Sequence, residues 1–266
     1  MRASSGQRIW NGTIVGYSAI QRTVTILSSI STTARILLSS FSGPNIMENS
    51  ELNNRLLALG TPAVCDANKN LRVMGPAMRP IASGYKFVGV ARTVQCHEDF
   101  LAVIGTLADS LEGDVLVVDS RNSKRALAGE LFSTEAARRG LSALVVDGAV
   151  RDTASIEQLG LPVYSRYVTP LAGTTEHPGQ TQIPVTCGDV IVNPGDILLG
   201  DNDGIVVGSP EEFEALLSTA EAIQQIESRV LGRLNEGHDL VAMLNFEAHY
   251  SAIADGKPSK LKFKPD

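Results

Sequence analysis

The dipeptide Arg151-Asp152 has the residue types and the position of a ligand-binding pair. It lies between an apolar run at residues 141–146, predicted to be a strand, and a helix-like segment at residues 153–159. An arginine offers a planar fork of donors suited to a carboxylate. An aspartate offers hard oxygen atoms suited to Mg²⁺ or Mn²⁺. Together, the two side chains could hold a 2-oxo acid and a divalent cation.

The same dipeptide has a second interpretation, as an ordinary helix start. In that interpretation Asp152 caps the helix N-terminus and Arg151 is a surface charge. The two residues before the last apolar pair, Asp147 and Gly148, have the composition of a tight turn. The hexapeptide from Asp147 to Asp152 does not decide between the two interpretations.

A second acidic residue, Glu130, precedes the pair by twenty intervening residues. It lies in a helix-like stretch over residues 126–139 that ends at Gly140. Backbone N–H groups at a helix start, here around Leu131 and Phe132, have no partner within the helix and can receive a carboxylate. This spacing alone is weak evidence for an active site, so the interpretation depends on the surrounding sequence segments.

Those segments resemble the RraA-like family in one unbroken order. The matching segments read GDVLVVD at 113–119, RALAGEL at 125–131, VVDGAVRD at 145–152, VTP at 168–170 and IPVTCG at 183–188, followed by residues 192–208. The resemblance covers about residues 50–235 and extends to the family's enzyme branch, the 4-hydroxy-4-methyl-2-oxoglutarate aldolases. Those enzymes carry an acid, twenty intervening residues and then Arg-Asp. The resemblance implies an α/β fold, the swivelling β/β/α domain, with a mixed sheet and flanking helices.

The resemblance also implies a divalent-metal-dependent lyase. Its reaction would be retro-aldol cleavage of 4-hydroxy-4-methyl-2-oxoglutarate, or a related 4-hydroxy-2-oxo acid, to pyruvate, with oxaloacetate decarboxylation through the same pyruvate enolate. Mg²⁺ or Mn²⁺ held by Asp152 would supply an electron sink at the 2-oxo oxygen. Arg151 would hold the substrate carboxylate and offset the enolate charge, and Glu130 would orient a water molecule. The segment Gly129–Phe132 would bind the carboxylate through its backbone.

The alternative function is a non-catalytic regulator that binds and inhibits an RNA-degrading enzyme, as the family's namesake does. That branch does not keep the Arg-Asp pair intact. The presence of Arg151 and Asp152 together with Glu130 therefore favours catalysis. Glu130 stands where the best-known form of the motif has an aspartate.

Two further residues are site candidates through the resemblance. The aldolases assemble as trimers or hexamers and contribute a late-helix glutamate to a neighbouring subunit's site, and Glu227 is the nearest match. A solvated helix face is the alternative for this residue and for Glu221, Gln224 and Gln225. Asp66 ends a segment, TPAVCD, that matches the family near the active site, although it is also suited to capping a helix.

Composition excludes several other classes of protein. The chain has 266 residues, 43% of them hydrophobic and 20% charged, which suits one compact core rather than disorder. Its net charge is −6, and lysines cluster only at residues 257–264, which argues against a nucleic-acid partner. The three cysteines show no paired spacing, which predicts packing roles and a reducing compartment. No apolar run is long enough to span a membrane.

Residues 1–46 differ from the rest of the chain. They contain four arginines, nine serines and no acidic residue. This composition is typical of a mitochondrial transit peptide, and translation from Met47 is the alternative. We therefore predict an N-terminal extension at 1–46, a catalytic domain at 47–240 and a C-terminal tail at 241–266. The expected compartment is the cytoplasm, or the mitochondrion if residues 1–46 are a genuine transit peptide.

The body of the chain alternates predicted helices and strands. Helices are expected at 50–59, at 98–111 and from the capping sequence at Ser209 to about Leu234. Strands are expected at 115–118, 143–146 and 162–167, followed by a strand-rich section over 184–207. The sequence from Asp201 to Gly204 resembles part of a calcium loop, but a tight turn between two strands fits it better.

Overall fold

The computed structural model describes residues 49–264, so the predicted extension at 1–46 lies outside the described part. The helices of the described part are α1 (Asn49–Leu59), α2 (Thr61–Ala67), α3 (Leu101–Asp109), α4 (Glu130–Arg138), α5 (Thr153–Ile156), α6 (Pro210–Asn235) and α7 (Phe246–Ala254). The strands are β1 (Arg72–Val73), β2 (Arg79–Pro80), β3 (Phe87–Gln95), β4 (Asp114–Asp119), β5 (Ala126–Ala128), β6 (Ala143–Val150), β7 (Val163–Val168), β8 (Gln180–Thr181), β9 (Val185–Cys187), β10 (Val190–Val192), β11 (Ile197–Asp201) and β12 (Gly204–Gly208).

Ten of these strands form one mixed sheet. Its order is β1-β12-β11-β3-β4-β6-β7-β2, with β5 paired to β6 and β8 paired to β3. The pairs β3/β4, β4/β6, β5/β6 and β6/β7 are parallel, and the outer pairs are antiparallel. Strands β9 and β10 form a separate hairpin. This mixed sheet with flanking helices confirms the predicted α/β class.

The central strands are buried on both faces, which is why their sequences are almost continuously apolar. On β4, Leu116 and Val118 face a cluster that includes residues of α3, α4 and α5. Val115 and Val117 point the other way, into a cluster shared with the β9–β10 hairpin. Each fully buried valine or leucine stabilises the fold by about 1.5–3 kcal/mol relative to exposure. These strands therefore form a rigid base for the loops at their carboxyl ends.

Helix α6 follows its sequence signals closely. Ser209 accepts a hydrogen bond from the backbone N–H of Glu212, and the Glu212 side chain reaches back to the Ser209 N–H, which completes a capping box. Its first half buries Phe213 and Leu217 in a third cluster with α1, α2, β11 and β12. The alternative of a solvated face on this helix is wrong for Glu221, because Glu221 forms an ion pair with Arg55 at 2.7 Å.

Two local predictions in the central sheet are wrong. Asp147 and Gly148 do not form a turn but lie inside β6, where the pairing with β7 shifts register between Val146 and Ala149. The Asp147 carboxylate accepts hydrogen bonds from Arg166 and from the Gly188 N–H, and these long-range contacts keep the chain extended.

The other wrong prediction concerns residues 126–128, which form strand β5 rather than the first turn of a helix. The helix begins later, at Glu130. The predicted turn between Asp201 and Gly204 is confirmed, since these residues pair across the β11–β12 hairpin.

Two predictions made from composition can be compared with the described residues. Burial raises the pKa of the Cys96 thiol to about 12, and Cys187 is also buried, so both serve as packing residues as predicted. Within residues 49–264, no helix combines the length and apolar character needed to cross a membrane.

Candidate active site

Strand β5 explains how residues separated by about twenty others in sequence become neighbours. It pairs in parallel with the end of β6, with Ala128 opposite Val150, and the Arg151 N–H donates to the Ala128 carbonyl at 3.1 Å. The residues that follow the two strands, Gly129 and Arg151, must therefore lie side by side. The start of α4 and the Arg-Asp pair meet at one point of the sheet.

Gly129 is required for this close approach. A β-carbon at this position would lie 2.6 Å from Asp152 Oδ2 and 2.9 Å from Arg151 Cγ. Any side chain would therefore displace the Asp152 carboxylate and the Arg151 side chain from these positions. The glycine therefore allows the Arg-Asp pair to contact the N-terminus of α4 directly.

Asp152 adopts a backbone conformation that is uncommon for a residue other than glycine. Its φ of 58° and ψ of 38° lie in the left-handed region, which aspartate tolerates better than most residues. Although Asp152 occupies the N-cap position of α5, its side chain makes no capping hydrogen bond there. Its Oδ2 atom instead accepts from the Glu130 N–H at 3.2 Å and lies 3.4 Å from Arg151 Nε. The helix-capping interpretation of Asp152 is therefore wrong for its side chain.

A small cavity opens at this junction, with a volume of about 130 Å³. Its lining residues are Phe100, Ala126, Leu127, Ala128, Gly129, Leu131, Phe132, Arg151, Asp152 and Ala172. The N–H groups of Leu131 and Phe132 belong to the first turn of α4 and so have no partner within the helix. The Glu130 side chain is exposed beside them. The cavity thus combines one guanidinium, one carboxylate, free helix amides and an apolar wall.

Another part of the cavity wall, Ala172, comes from a loop that is anchored by a buried acid. Asp99 is 1% exposed and accepts hydrogen bonds from Leu101 N–H, Thr174 Oγ1, Glu176 N–H and His177 N–H. Ala172 of this loop pairs with Ala126 of β5. Burial alone would raise the pKa of the Asp99 carboxyl, but the four donors outweigh it and lower the pKa to about 2.

Asp99→Asn is expected to destabilise the protein in a pH-dependent way. Because the folded-state pKa is depressed, the contribution of Asp99 is fully present above the ordinary pKa of 3.8 and is lost as the pH falls toward about 2. The difference in Tm between the wild type and Asp99→Asn should be constant from pH 7 to about pH 4 and shrink below it. Thermal melts across this range measure it, with Asp109→Asn at the exposed end of α3 as the matched control. A difference that stays unchanged down to pH 3 would contradict the assignment.

The structure separates the remaining sequence candidates from this cavity. Asp66 lies near the end of α2 and pairs with Lys69, so the prediction that it caps a helix is wrong, and it does not line the cavity. Asp147 and Gly148, which precede the Arg-Asp pair in sequence, line a different polar cleft beside Arg166. Glu227 is exposed on the second half of α6, where a contribution to a neighbouring subunit's site stays a prediction.

Sequence reasoning missed several residues of the site, among them Phe100, Asp99 and Ala172. Phe100 falls within the helix predicted at 98–111 and was not a site candidate, yet its ring packs edge-on against Phe132 with centroids 5.5 Å apart and lines the cavity. An aspartate just before a helix is a recognisable capping signal, so the hydrogen bond that Asp99 accepts from the Leu101 N–H could have been predicted. Its bonds to residues 174–177, and the position of Ala172, depend on a loop that returns from far along the chain.

Comparison with known proteins finds a matching family model and named relatives. The family model described as RraA-like, Aldolase/RraA, matches residues 61–207. A protein of Halalkalibacterium halodurans named "Putative 4-hydroxy-4-methyl-2-oxoglutarate aldolase" is 34% identical over 166 residues, which is 62% of this chain and 79% of that protein.

Solved structures with a similar fold include two RraA proteins. The RNA-processing inhibitor RraA from Thermus thermophilis is 30% identical with a TM-score of 0.52, covering 55% of this chain and 90% of that one. RraAS2 of Streptomyces coelicolor, described as an unusual member of the RNase ES inhibitor RraA protein family, is 27% identical with a TM-score of 0.60. That match covers 68% of this chain and 95% of RraAS2.

Proposed function

This chain belongs to the RraA-like family, and we propose that it is a lyase that releases pyruvate from 4-hydroxy-4-methyl-2-oxoglutarate or a related 4-hydroxy-2-oxo acid. The observation that carries the proposal is the meeting of Arg151, Asp152 and the Glu130 end of α4 at one small cavity. The names of relatives such as that of Halalkalibacterium halodurans support the same class of reaction.

The donor set at the cavity fits a weakly held divalent cation. Asp152 Oδ2 is engaged by the Glu130 N–H, while Oδ1 has no protein partner among the described residues, and the side chain is 41% exposed. No group of three or more histidine, cysteine or acidic side chains within residues 49–264 is arranged to enclose a metal ion. One carboxylate completed by water and substrate oxygens is a usual arrangement for Mg²⁺. Bound there, Mg²⁺ or Mn²⁺ supplies an electron sink at the 2-oxo oxygen.

Arg151 and the start of α4 bind and orient the substrate. The Arg151 guanidinium receives the 2-oxo acid's carboxylate through parallel hydrogen bonds. The N–H groups of Leu131 and Phe132 add donors at the positive end of the helix dipole. Arg151 also offsets the negative charge that develops on the pyruvate enolate. It is the only cationic side chain among the described residues that line the cavity.

The reaction requires one proton to leave and one to return. The C4 hydroxyl loses its proton as the C3–C4 bond breaks, C4 becomes a carbonyl, and the bonding electrons form the pyruvate enolate, which is then protonated at C3. No histidine or lysine lines the cavity in the described part of the chain. We assign the proton transfer to a water molecule oriented by Glu130, whose side chain is exposed at the helix start. Oxaloacetate decarboxylation passes through the same enolate.

The proposal is tested by pyruvate release from 4-hydroxy-4-methyl-2-oxoglutarate and from oxaloacetate, each with added Mg²⁺. Release from both substrates, coupled to a stoichiometric second carbonyl product or CO₂, supports it. Release from neither, by a folded protein, overturns it.

The second candidate is regulation of an RNA-degrading enzyme, and the fold shared with the RNA-processing inhibitor of Thermus thermophilis favours it. A regulator needs no cavity with a guanidinium and a carboxylate held at a helix start. Inhibition of a purified RNase by this chain, with no pyruvate released from either substrate, would favour this candidate over the lyase.

We further propose that the active form is a homotrimer or homohexamer with sites at subunit boundaries. Three large apolar side chains are exposed on the segments that border the cavity: Leu131 at 77%, Val168 at 55% and Leu171 at 56%. Such a surface fits contact with a second copy. The second half of α6 buries none of its own side chains, so Glu227 is available to a neighbour's site.

Light scattering is expected to give about three or six times the chain mass of 28.3 kDa. Leu171→Glu should weaken assembly and activity together, because it places a charge in the contact. Leu111→Glu, at a similarly exposed leucine outside the segments that border the cavity, is the control. A fully active monomer would contradict this proposal.

A further inference from the structure

A second guanidinium, that of Arg125, lies at the rim of the cavity, at the end of β5 away from Arg151. Arg125 directly precedes Ala126, which lines the cavity. Its Nη1 atom donates to the carbonyl of Ala172, another lining residue, at 3.5 Å. Ala126 and Ala172 are paired through their backbones, so strand β5 and the returning loop together fix the position of Arg125.

The Arg125 guanidinium is held loosely by the protein. Its Nε atom lies 3.3 Å from Glu98 Oε2, and both this contact and the one to Ala172 are longer than the roughly 2.7–2.9 Å of a strong charge-assisted hydrogen bond. Arg55, by comparison, donates to both oxygens of Glu221 at 2.7 and 2.8 Å. Within residues 49–264, the Nη2 atom of Arg125 has no protein partner. Arg125 therefore has donors available for a ligand.

The spacing of the two guanidinium groups suits a five-carbon dicarboxylate. Three residues of strand separate Ala126, beside Ala172, from Gly129, beside Arg151, which places the two groups roughly 10 Å apart. An extended five-carbon diacid with a hydrogen bond at each end spans roughly 12 Å between its two donors. These lengths are similar, so one such substrate can contact both arginines.

We infer that Arg125 is a specificity-determining residue that binds the distal carboxylate of the substrate, while Arg151 binds the carboxylate next to the 2-oxo group. This inference rests on the proposed function, which it deepens. The substrate carboxylate replaces Glu98 as the partner of Arg125, and the half-exposed Glu98 side chain turns toward solvent. The distal carboxylate gains no charge during cleavage of the C3–C4 bond. The contact with Arg125 is therefore the same in the ground state and the transition state, and it lowers KM rather than raising kcat.

The first test compares 4-hydroxy-2-oxoglutarate with 4-hydroxy-2-oxopentanoate, which carry a carboxylate and a methyl group, respectively, at the same position. Arg125→Gln should raise KM for the carboxylate-bearing substrate at least about tenfold, the usual effect of losing hydrogen bonds to a charged group, and leave its kcat unchanged. The methyl-bearing substrate should not respond. Arg125→Lys should recover part of the loss, because a point charge remains. Arg121→Gln, at an exposed arginine that lines the other cleft, is the control.

The second test changes the other member of the ion pair. Glu98→Gln removes the carboxylate that competes with the substrate for Arg125, so KM for 4-hydroxy-2-oxoglutarate should fall about threefold, the effect expected of one half-exposed ion pair. If the pair only held the rim in place, both Arg125→Gln and Glu98→Gln would break it and would impair both substrates in the same direction. Opposite effects of the two variants, confined to the carboxylate-bearing substrate, support the inference. Parallel losses on both substrates overturn it.

Binding without turnover separates this inference from the proposed function. Neither 2-oxoglutarate nor 2-oxopentanoate has a C4 hydroxyl, so neither can undergo retro-aldol cleavage. Titration calorimetry with Mg²⁺ present should show tighter binding of 2-oxoglutarate by the wild type, and Arg125→Gln should abolish this difference. If folded Arg125→Gln keeps the difference, the inference is overturned, and this outcome includes a cation supplied by a neighbouring copy. If neither 4-hydroxy substrate yields pyruvate, the lyase function fails, and the calorimetry still decides the role of Arg125.

Discussion

Chelation of divalent cations is expected to abolish pyruvate release, and added Mg²⁺ or Mn²⁺ to restore it. The described residues place one carboxylate, Asp152, at the cavity and no cluster that would enclose an ion. A site with one protein carboxylate holds Mg²⁺ weakly, so EDTA should remove the ion completely. Pyruvate release at an undiminished rate in EDTA would refute the assignment of a metal to this site.

Asp152→Asn is expected to reproduce the effect of the chelator. Asparagine has nearly the same shape and tolerates the left-handed backbone at this position, so the change removes charge with little strain. Mn²⁺ binding, measured by titration calorimetry, should be lost together with activity. Asp189→Asn is the matched control, because Asp189 also has a positive φ of 65° and its exposed pair with Arg166 contributes little to stability. Equal Mn²⁺ affinity in both variants would contradict the role of Asp152.

The fold was largely predictable because its main elements depend on local signals. The apolar runs at 115–118 and 143–146 have few alternatives to buried strands, and both lie in the centre of the sheet. The start of α6 follows from the capping box at Ser209 and Glu212, which acts within four residues. Elements of this kind can therefore be predicted from local sequence signals.

The elements that were predicted wrongly depend on partners far along the chain. Asp147 and Gly148 have the composition of a turn, and only Arg166 and Gly188 make an extended conformation favourable. The three residues of β5 form a strand because the end of β6 lies beside them. Local propensity contains no information about either contact.

The residues of the candidate site also fall into two groups, those predicted from sequence and those that depend on distant contacts. Its charged residues, Glu130, Arg151 and Asp152, were predicted from their types, order and family resemblance, and the structure brings them together. Its apolar wall was not predicted, because Phe100 and Ala172 have no chemical signature and reach the cavity only through tertiary contacts. The sequence therefore indicated the reaction more clearly than it indicated the substrate.

Arg151→Lys is expected to lower kcat/KM about 10²- to 10³-fold, the usual effect of losing one preorganised donor at developing charge. A guanidinium binds a carboxylate through two parallel hydrogen bonds, whereas an ammonium group presents a single point charge. Steady-state kinetics with oxaloacetate and with a 4-hydroxy-2-oxo acid measure the loss, and thermal melts establish folding. Because lysine keeps the positive charge, this comparison isolates the loss of the two parallel hydrogen bonds.

The loss should appear in kcat as well as in KM. If Arg151 only anchored the substrate carboxylate, KM alone would rise, since that contact is the same in the ground state and the transition state. Because Arg151 also faces the charge that grows on the enolate, the chemical step itself should slow. Arg138→Lys on α4 is the control, because its pair with Glu135 lies at the surface, where ion pairs contribute little to stability. A folded Arg151→Lys protein with near-normal kcat/KM on both substrates would remove Arg151 from the mechanism, and with it the main physical argument for a lyase.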